Sequence, residues 1–270
     1  MTVADKAFTG SISDLYDRYL VPLIFEYYAH DLVAEVSRLE PDSVLETAAG
    51  TGIVTRALAT VLPAATRLVA TDLSTAMLDV ARTHVSRDSP VEWRQADALA
   101  LPFANETFDA VICQFGIMFF PDKQQAFREA WRVLRPSGHY LFSVWDEIGA
   151  NEIPDAVTRA LAEIFPDDPP RFLARTPHGY CDTAHIIEVL KAAGFADVTL
   201  KTVEHVSRCE KPLEPALAFC QGTPLRSEIE ARDAGRLEEV TQRVAEALTE
   251  RFGEGPIEGR IRAIMFCATR

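Results

Sequence analysis

One stretch of the sequence, residues 43–52, limits most strongly what the chain can fold into. A short apolar run there ends in a loop of small residues, and helix-forming sequence follows from Ile53 to Leu62 until Pro63 stops it. A strand, a small-residue turn and a helix N-terminus in this order allow a ligand to lie against the backbone. Gly50 and Gly52 permit positive φ and carry no Cβ that would obstruct such a ligand.

The next acidic position narrows the kind of ligand. Residues 67–71 are predicted as a second strand, and Asp72 lies at its carboxyl end. An acid about 20 residues beyond a glycine turn suits a ribose diol, because its two oxygens accept hydrogen bonds from both hydroxyls. The loop and Asp72 together predict an adenosine-type ligand and leave open which one.

Strands and helices alternate along the chain, which indicates a doubly wound, mostly parallel, seven-stranded α/β sheet. Beyond the first two strands, the pattern predicts strands at residues 91–95, 109–114, 139–145, 197–206 and 261–267. Ligands of such sheets bind outside the carboxyl ends of the strands. Four polar residues lie at or near these ends and are expected to line one site: Glu46, Asp72, Asp97 and Gln114.

The N-terminal segment admits two interpretations. Residues 12–39 are predicted as a helix that breaks near Pro22, with Leu15, Tyr19 and Leu23 at helical spacing. The tyrosines of this segment belong either to the amphipathic edge of a packing helix or to a lid that places a residue such as Tyr16 over the ligand.

Charge and cysteine usage narrow the classes of function. The formal net charge of −13 at pH 7 disfavours nucleic acid and anionic membrane surfaces as partners, because both require local positive charge. The five cysteines are scattered without a C-x-x-C pair, as in reduced, cytoplasmic proteins.

We expect no metal site, because His178 and Cys181 have a ligand-like interval but no two further partners. No apolar run reaches the length of a membrane span, and residues 1–10 lack a signal pattern.

Several motifs resemble those of the class I S-adenosylmethionine-dependent methyltransferases, especially the ubiquinone/menaquinone-biosynthesis type of small-molecule methyltransferase. Residues 44–52, Val-Leu-Glu-Thr-Ala-Ala-Gly-Thr-Gly, resemble the first motif, and residues 70–78 carry the second. Residues 95–109 resemble the third and fourth motifs, and residues 134–138 resemble the turn before the fifth strand. The family usually has glycine where Ala48 stands, and alanine keeps that loop small.

The resemblance implies S-adenosyl-L-methionine as cofactor, and it implies a role for each matching position. Loop residues would face the methionine part, with Glu46 ordering the loop or binding the amino group. Asp72 would bind the ribose hydroxyls, and Asp97 would accept from the adenine amino group. With Tyr16 added from the lid hypothesis, the predicted cofactor-binding residues are Tyr16, Glu46, Ala48, Gly50, Gly52, Asp72, Leu73, Met77, Asp97, Ala98, Gln114 and Phe115.

The resemblance also implies transfer of a methyl group to a small molecule by in-line displacement, which requires positioning and exclusion of water more than covalent chemistry. We expect the acceptor site to include the N-terminal helix, residues 116–121 and the segments after Trp145. Their apolar side chains favour an apolar or aromatic acceptor, although they are equally consistent with core packing. His139, His178 and Tyr180 are candidate bases, but no pairing in the sequence distinguishes one, so no catalytic residue is assigned.

Without internal repeats, the chain is expected to form a single methyltransferase domain over residues 1–270. Within it we predict a helical lid at residues 1–40 and a cofactor-binding core at residues 41–146. Residues 147–182 and 207–255 would be helical elaborations near the acceptor site. The oligomeric state stays open, with a homodimer as one alternative.

Two rival functions use the same fold. A nicotinamide-dependent oxidoreductase would require glycine three residues after Gly52, where Thr55 stands. A non-catalytic S-adenosylmethionine-binding protein would keep the cofactor site without transfer. Nucleic-acid methylation is disfavoured because residues 114–116, Gln-Phe-Gly, occupy the place of an Asn/Asp-Pro-Pro-Tyr-like motif.

Overall fold

Seven strands form one sheet in the computed structural model, which describes residues 11–86 and 88–270. The strands are β1 (Ser43–Glu46), β2 (Arg67–Asp72), β3 (Glu92–Gln95), β4 (Phe108–Gln114), β5 (Leu134–Trp145), β6 (Asp197–Cys209) and β7 (Ile257–Thr269). Their order across the sheet is β3-β2-β1-β4-β5-β7-β6. The predicted α/β sheet is therefore confirmed.

Helices connect the strands. The α-helices are α1 (Ser11–Leu15), α2 (Glu26–Arg38), α3 (Ile53–Val61), α4 (Thr75–Thr83), α5 (Lys123–Val133), α6 (Glu152–Ile164), α7 (Phe172–Arg175), α8 (Thr183–Ala193), α9 (Leu213–Gln221), α10 (Leu225–Arg232) and α11 (Leu237–Phe252). The predicted N-cap of α4 is confirmed, since the Ser74 hydroxyl accepts from the Met77 amide. Asp122 caps α5 through the amide of Gln125, and Gly194 ends α8 at φ 112°.

Strand direction follows from the hydrogen-bond register. β1 pairs in parallel with β2 and β4, and β5 pairs in parallel with β4. β7 runs antiparallel to β5, because Arg270 donates to the carbonyl of Gly138 whereas Arg262 accepts from the amide of Asp146. β1 is buried along its whole length, as expected for a central parallel strand covered on both faces.

The chain divides into two compact units. The unit named here the sheet unit comprises residues 27–144, 181–202 and 264–270, and the helical unit comprises residues 1–26, 145–180 and 203–263. In the sheet unit, the Phe142 and Phe266 rings stack with centroids 4.8 Å apart and an interplanar angle of 3°. In the helical unit, α11 packs against α6 and α9, with Val240, Val244 and Leu248 buried. The division of the chain into lid, core and elaborations stays a prediction.

The predicted break near Pro22 is wrong. Residues Tyr16–Phe25 form a π-helical segment that contains Pro22, and α2 begins directly after it. Proline lacks an amide hydrogen and its ring crowds the preceding turn of an α-helix. The wider π turn accommodates that ring without ending the helix.

Two further boundaries differ from the sequence expectation. Residues 134–138, predicted as a turn, lie inside β5, where Ser137 has φ 66° and the pairing with β4 shifts register between Phe108 and Ala110. The turn-like composition therefore marks an irregularity within a strand. β7 is also longer than the predicted residues 261–267, since it extends from Ile257 to Thr269 between β5 and β6. Among the described residues, no helix combines the length and apolar character that crossing a membrane requires.

Candidate functional site

The small-residue loop between β1 and α3 is held in an unusual backbone conformation. Ala48, Gly50 and Gly52 have φ values of 53°, 57° and 80°. A Cβ on Gly52 would lie 2.9 Å from the Cβ of Ala81 and 3.2 Å from Trp93, so this position requires glycine for its packing as well as its φ. At Gly50 a Cβ would meet no atom within 4 Å. Gly50 is thus the part of the loop that a ligand can approach closely.

Asp72 connects this loop to the end of β2. Its Oδ2 accepts from the amide of Gly50 at 2.9 Å, and its Oδ1 accepts from the amide of Ser74 at 2.8 Å. Burial raises the pKa of this carboxyl, and the amides of Ser74, Gly50 and Leu73 partly oppose that rise. Each carboxylate oxygen carries two lone pairs, so both retain capacity for a hydroxyl donor.

Two apolar side chains lie beside Asp72. The side chain of Leu73 is 54% exposed, an unusual exposure for leucine, whereas Met77 is buried on the first turn of α4. An exposed leucine next to an acid that can bind a diol fits the flat face of a nucleoside base.

Glu46 is a buried acid at the carboxyl end of β1. The Thr55 hydroxyl on α3 donates to its Oε2, and the Thr71 hydroxyl donates at 2.9 Å to its backbone carbonyl. Burial raises the pKa of Glu46 to about 8; the bond from Thr55 lowers it and the charge of Asp72 raises it further. These bonds fit the predicted role of ordering the loop. The sequence did not predict this role of Thr55 as a donor to Glu46. There, Thr55 counted only against a dinucleotide fingerprint.

Asp97 follows β3 and is exposed. Its Oδ1 accepts from the amide of Leu99 at 2.9 Å, a local turn contact. The preceding residue, Ala96, donates its amide to the backbone carbonyl of Asp72 at 3.0 Å. Asp97 and the half-buried Ala98 therefore lie on the connection that borders Asp72, with the second Asp97 oxygen open to a donor.

The end of β4 completes this edge of the sheet. Gln114 is half-buried, and Phe115 is buried at φ 52° with its amide donating to the carbonyl of Ser143 at 3.1 Å. The Phe115 ring meets the Tyr28 ring edge-on at a centroid distance of 5.3 Å. Phe115 therefore has a fixed position at the end of the strand.

The sheet unit brings eleven of the twelve predicted cofactor-binding residues to the carboxyl ends of the neighbouring strands β3, β2, β1 and β4. Tyr16 lies in the helical unit, and its role stays a prediction, as do the individual contacts of the other residues. Two features fit the adenosine part of S-adenosylmethionine: the carboxylate of Asp72, which can bind a diol, and the exposed Leu73. The open backbone at Gly50 fits the methionine part.

Known proteins with related sequences identify the family. A family model described as a methyltransferase domain matches residues 45–142. The demethylmenaquinone methyltransferase of Clavibacter sepedonicus is 30% identical over 175 residues, which cover 60% of this chain and 69% of that protein. The chain belongs to the S-adenosylmethionine-dependent methyltransferases. As a member of this family it is an enzyme that uses S-adenosylmethionine as cofactor.

Two further proteins place this methyltransferase among its relatives. The ubiquinone/menaquinone biosynthesis C-methyltransferase of Hahella chejuensis is 39% identical over 102 residues, covering 37% of this chain and 41% of that protein. The structure of Haemonchus contortus phosphoethanolamine N-methyltransferase 2, with phosphomonomethylethanolamine and S-adenosylhomocysteine, gives a TM-score of 0.55 at 21% identity. That alignment covers 97% of this chain and 61% of the other, and it shows a shared fold. Neither rival function is favoured by these relatives.

The three candidate bases of the methyltransferase have different environments. His178 is buried, its Nδ1 lies 2.8 Å from the carbonyl of Asp146, and burial lowers its pKa to about 4. Burial raises the pKa of Tyr180 to about 12. His139 is half-buried with its Nδ1 3.3 Å from the Thr269 hydroxyl. These environments do not distinguish one of the three as the base, so no catalytic residue is assigned.

Proposed function

We propose that this methyltransferase transfers the methyl group to a small-molecule acceptor with an apolar or aromatic body, by in-line displacement. The observation that carries the proposal is the apolar segment directly after β4 in the sheet unit. Phe115 is buried beside the predicted cofactor loop, and Phe119 and Phe120 follow it half-buried. Ile117 and Met118 are fully packed in the core, so the aromatic residues are the better candidates for an acceptor contact.

The names of the relatives support the same class of acceptor. They describe enzymes that act on demethylmenaquinone and in ubiquinone/menaquinone biosynthesis, both of which concern apolar ring compounds. The net charge of −13 also opposes binding of highly anionic acceptors. The five cysteines form no disulfide with one another, which fits a reducing, cytoplasmic setting. A homodimer is the assembly to test, by light scattering.

The proposed division of labour follows from the site. When bound, the cofactor supplies a methyl group already activated on a sulfonium. Asp72 would hold the ribose, and the loop at Ala48 and Gly50 would hold the methionine part against the end of β1. Phe115 would close the site against water beside the transferring group. The protein then contributes orientation and a dry environment, which together account for large rate effects.

The test is a binding and product screen with the full chain. We expect calorimetry to show binding of S-adenosylmethionine and S-adenosylhomocysteine, with no comparable binding of NAD. Mass spectrometry should then detect a methylated product with demethylated quinols or substituted phenols.

Two results would contradict the proposal. Products formed only from highly charged acceptors would overturn the apolar acceptor class. Tight cofactor binding without product across quinols, phenols, amines and thiols would favour the non-catalytic alternative.

A further inference from the structure

Two loops of the sheet unit touch at a glycine. A side chain of the opposite loop occupies the space in which a Cβ of this glycine would lie. The loop after β1 contributes Ala48, and the loop after β4 contributes Gly116. A Cβ built on Gly116 would lie 2.5 Å from the Cβ of Ala48 and 2.8 Å from the sulfur of Cys113. Real Cβ contacts essentially never come closer than 3.0 Å, so no larger residue fits at position 116 while Ala48 stays in place.

Conformational freedom does not explain this glycine. Gly116 has φ −94°, a value that any residue adopts without strain. The requirement for glycine at this position is therefore steric. It comes from Ala48 of the neighbouring loop and from the sulfur of Cys113 in β4.

Each of the two loops has a residue in the left-handed backbone conformation at this contact. Ala48 has φ 53° and Phe115 has φ 52°, a conformation that is unfavourable for residues with a Cβ. Such strain persists only where the surroundings hold it, and it concentrates at functional sites. Here the amide and the hydroxyl of Thr47 both donate to the carbonyl of Ile112, at 2.9 and 3.2 Å, which fixes the loop after β1 to the strand that leads into the other loop.

The two strained residues have different proposed tasks. The backbone at Ala48 would face the methionine part of the cofactor. Phe115 is fixed by the edge-on contact with Tyr28 and by the bond of its amide to Ser143, and it would close the site beside the methyl group. The Ala48–Gly116 contact therefore sets the spacing between the residue that holds the sulfonium arm and the residue that closes over it.

We infer that Gly116 is a positioning residue, matched to Ala48, that fixes how the transferring methyl group is presented. This inference rests on the proposed function and extends it, since it adds a residue outside the predicted cofactor-binding set. Ala48 stands where the family usually has glycine. The space that its methyl group needs is left by Gly116 on the opposite loop.

The test is a double-mutant cycle with Gly116→Ala, Ala48→Gly and the combined variant, using S-adenosylmethionine and S-adenosylhomocysteine as probes. Overpacking of this size should weaken S-adenosylmethionine binding about tenfold. S-adenosylhomocysteine lacks the methyl group, so its affinity should fall less. Removing the Ala48 methyl should restore part of the lost affinity in the combined variant, because the contact with the Cys113 sulfur at 2.8 Å remains. Gly149→Ala is the matched control, because a Cβ there meets no atom within 4 Å.

Each outcome decides the inference. A changed ratio of the two affinities in Gly116→Ala, reversed by Ala48→Gly, supports it. Unchanged affinities, or equal weakening for both probes, would reduce Gly116 to a packing role and overturn it. If Gly116→Ala alone does not fold, the combined variant is compared with Ala48→Gly. A larger loss of affinity for S-adenosylmethionine than for S-adenosylhomocysteine then supports the inference, and an equal loss, no loss or an unfolded protein overturns it. Failure of the unaltered protein to bind S-adenosylmethionine would instead contradict the proposed function.

Discussion

Replacing Asp72 by alanine is expected to weaken S-adenosylmethionine binding by one to two orders of magnitude. Hydrogen bonds that involve a charged group contribute about 1.5–3 kcal/mol each, and the substitution removes the only predicted acceptor for the ribose hydroxyls. It also leaves the amides of Gly50 and Ser74 without the carboxylate that accepts from them at 2.9 and 2.8 Å. Calorimetric titration of Asp72→Ala and of the unaltered protein measures the change.

Two companion variants make the Asp72 experiment specific. Asp79→Ala removes an acid of the same charge from the exposed face of α4, where it pairs with Arg82, and should leave affinity unchanged. Asp72→Asn keeps the shape and one carbonyl oxygen, so its affinity should lie between those of the unaltered protein and Asp72→Ala. Equal affinity in Asp72→Ala and the unaltered protein would remove Asp72 from the site.

Replacing Glu46 by glutamine is expected to flatten the dependence of stability on pH. Burial raises the pKa of Glu46 to about 8 in the folded protein, against 4.5 as its ordinary value. Between these values the folded state keeps the proton that the unfolded state loses. The free energy of unfolding therefore falls as pH rises, by about 1.4 kcal/mol per pH unit from this group. Glutamine keeps the shape of the side chain and does not titrate.

Denaturant unfolding of the ligand-free protein at pH 5.5, 6.5 and 7.5 measures this effect. As pH rises, the free energy of unfolding of Glu46→Gln should increase relative to that of the unaltered protein. The exposed Glu246 offers a control, since Glu246→Gln should follow the unaltered protein at each pH. Parallel curves for Glu46→Gln and the unaltered protein would show that Glu46 is ionised in the folded state.

Features with local causes could be predicted from the sequence. The sheet follows from alternating apolar segments, and the cap of α4 at Ser74 follows from a hydroxyl before an apolar helix face. The connection of Asp72 to the glycine loop follows from parallel strands that end at one edge. In each case, the residues that determine the structure are close in sequence or related by the regular geometry of the fold.

Features that depend on distant neighbours could not be predicted in the same way. Proline in a sequence predicts a helix break, whereas in the structure a π-helical segment contains Pro22 and the helix continues. The length of β7 depends on its two neighbours in the sheet, β5 and β6, of which β5 is more than a hundred residues away in the chain. Likewise, the elevated pKa of Glu46 results from burial and from the charge of Asp72, and Gly116 acquires its role from the positions of Ala48 and Cys113.

The three bonds at Asp72 have a consequence for the entropy of binding. Its side chain accepts from Gly50 and Ser74, and its backbone carbonyl accepts from Ala96, so one residue restrains the connections after β1, β2 and β3. Folding itself has therefore already immobilised these connections before any ligand arrives. A molecule that engages them gives up less conformational freedom than one that must order three independent loops, and pre-organisation of this kind strengthens affinity without adding a contact.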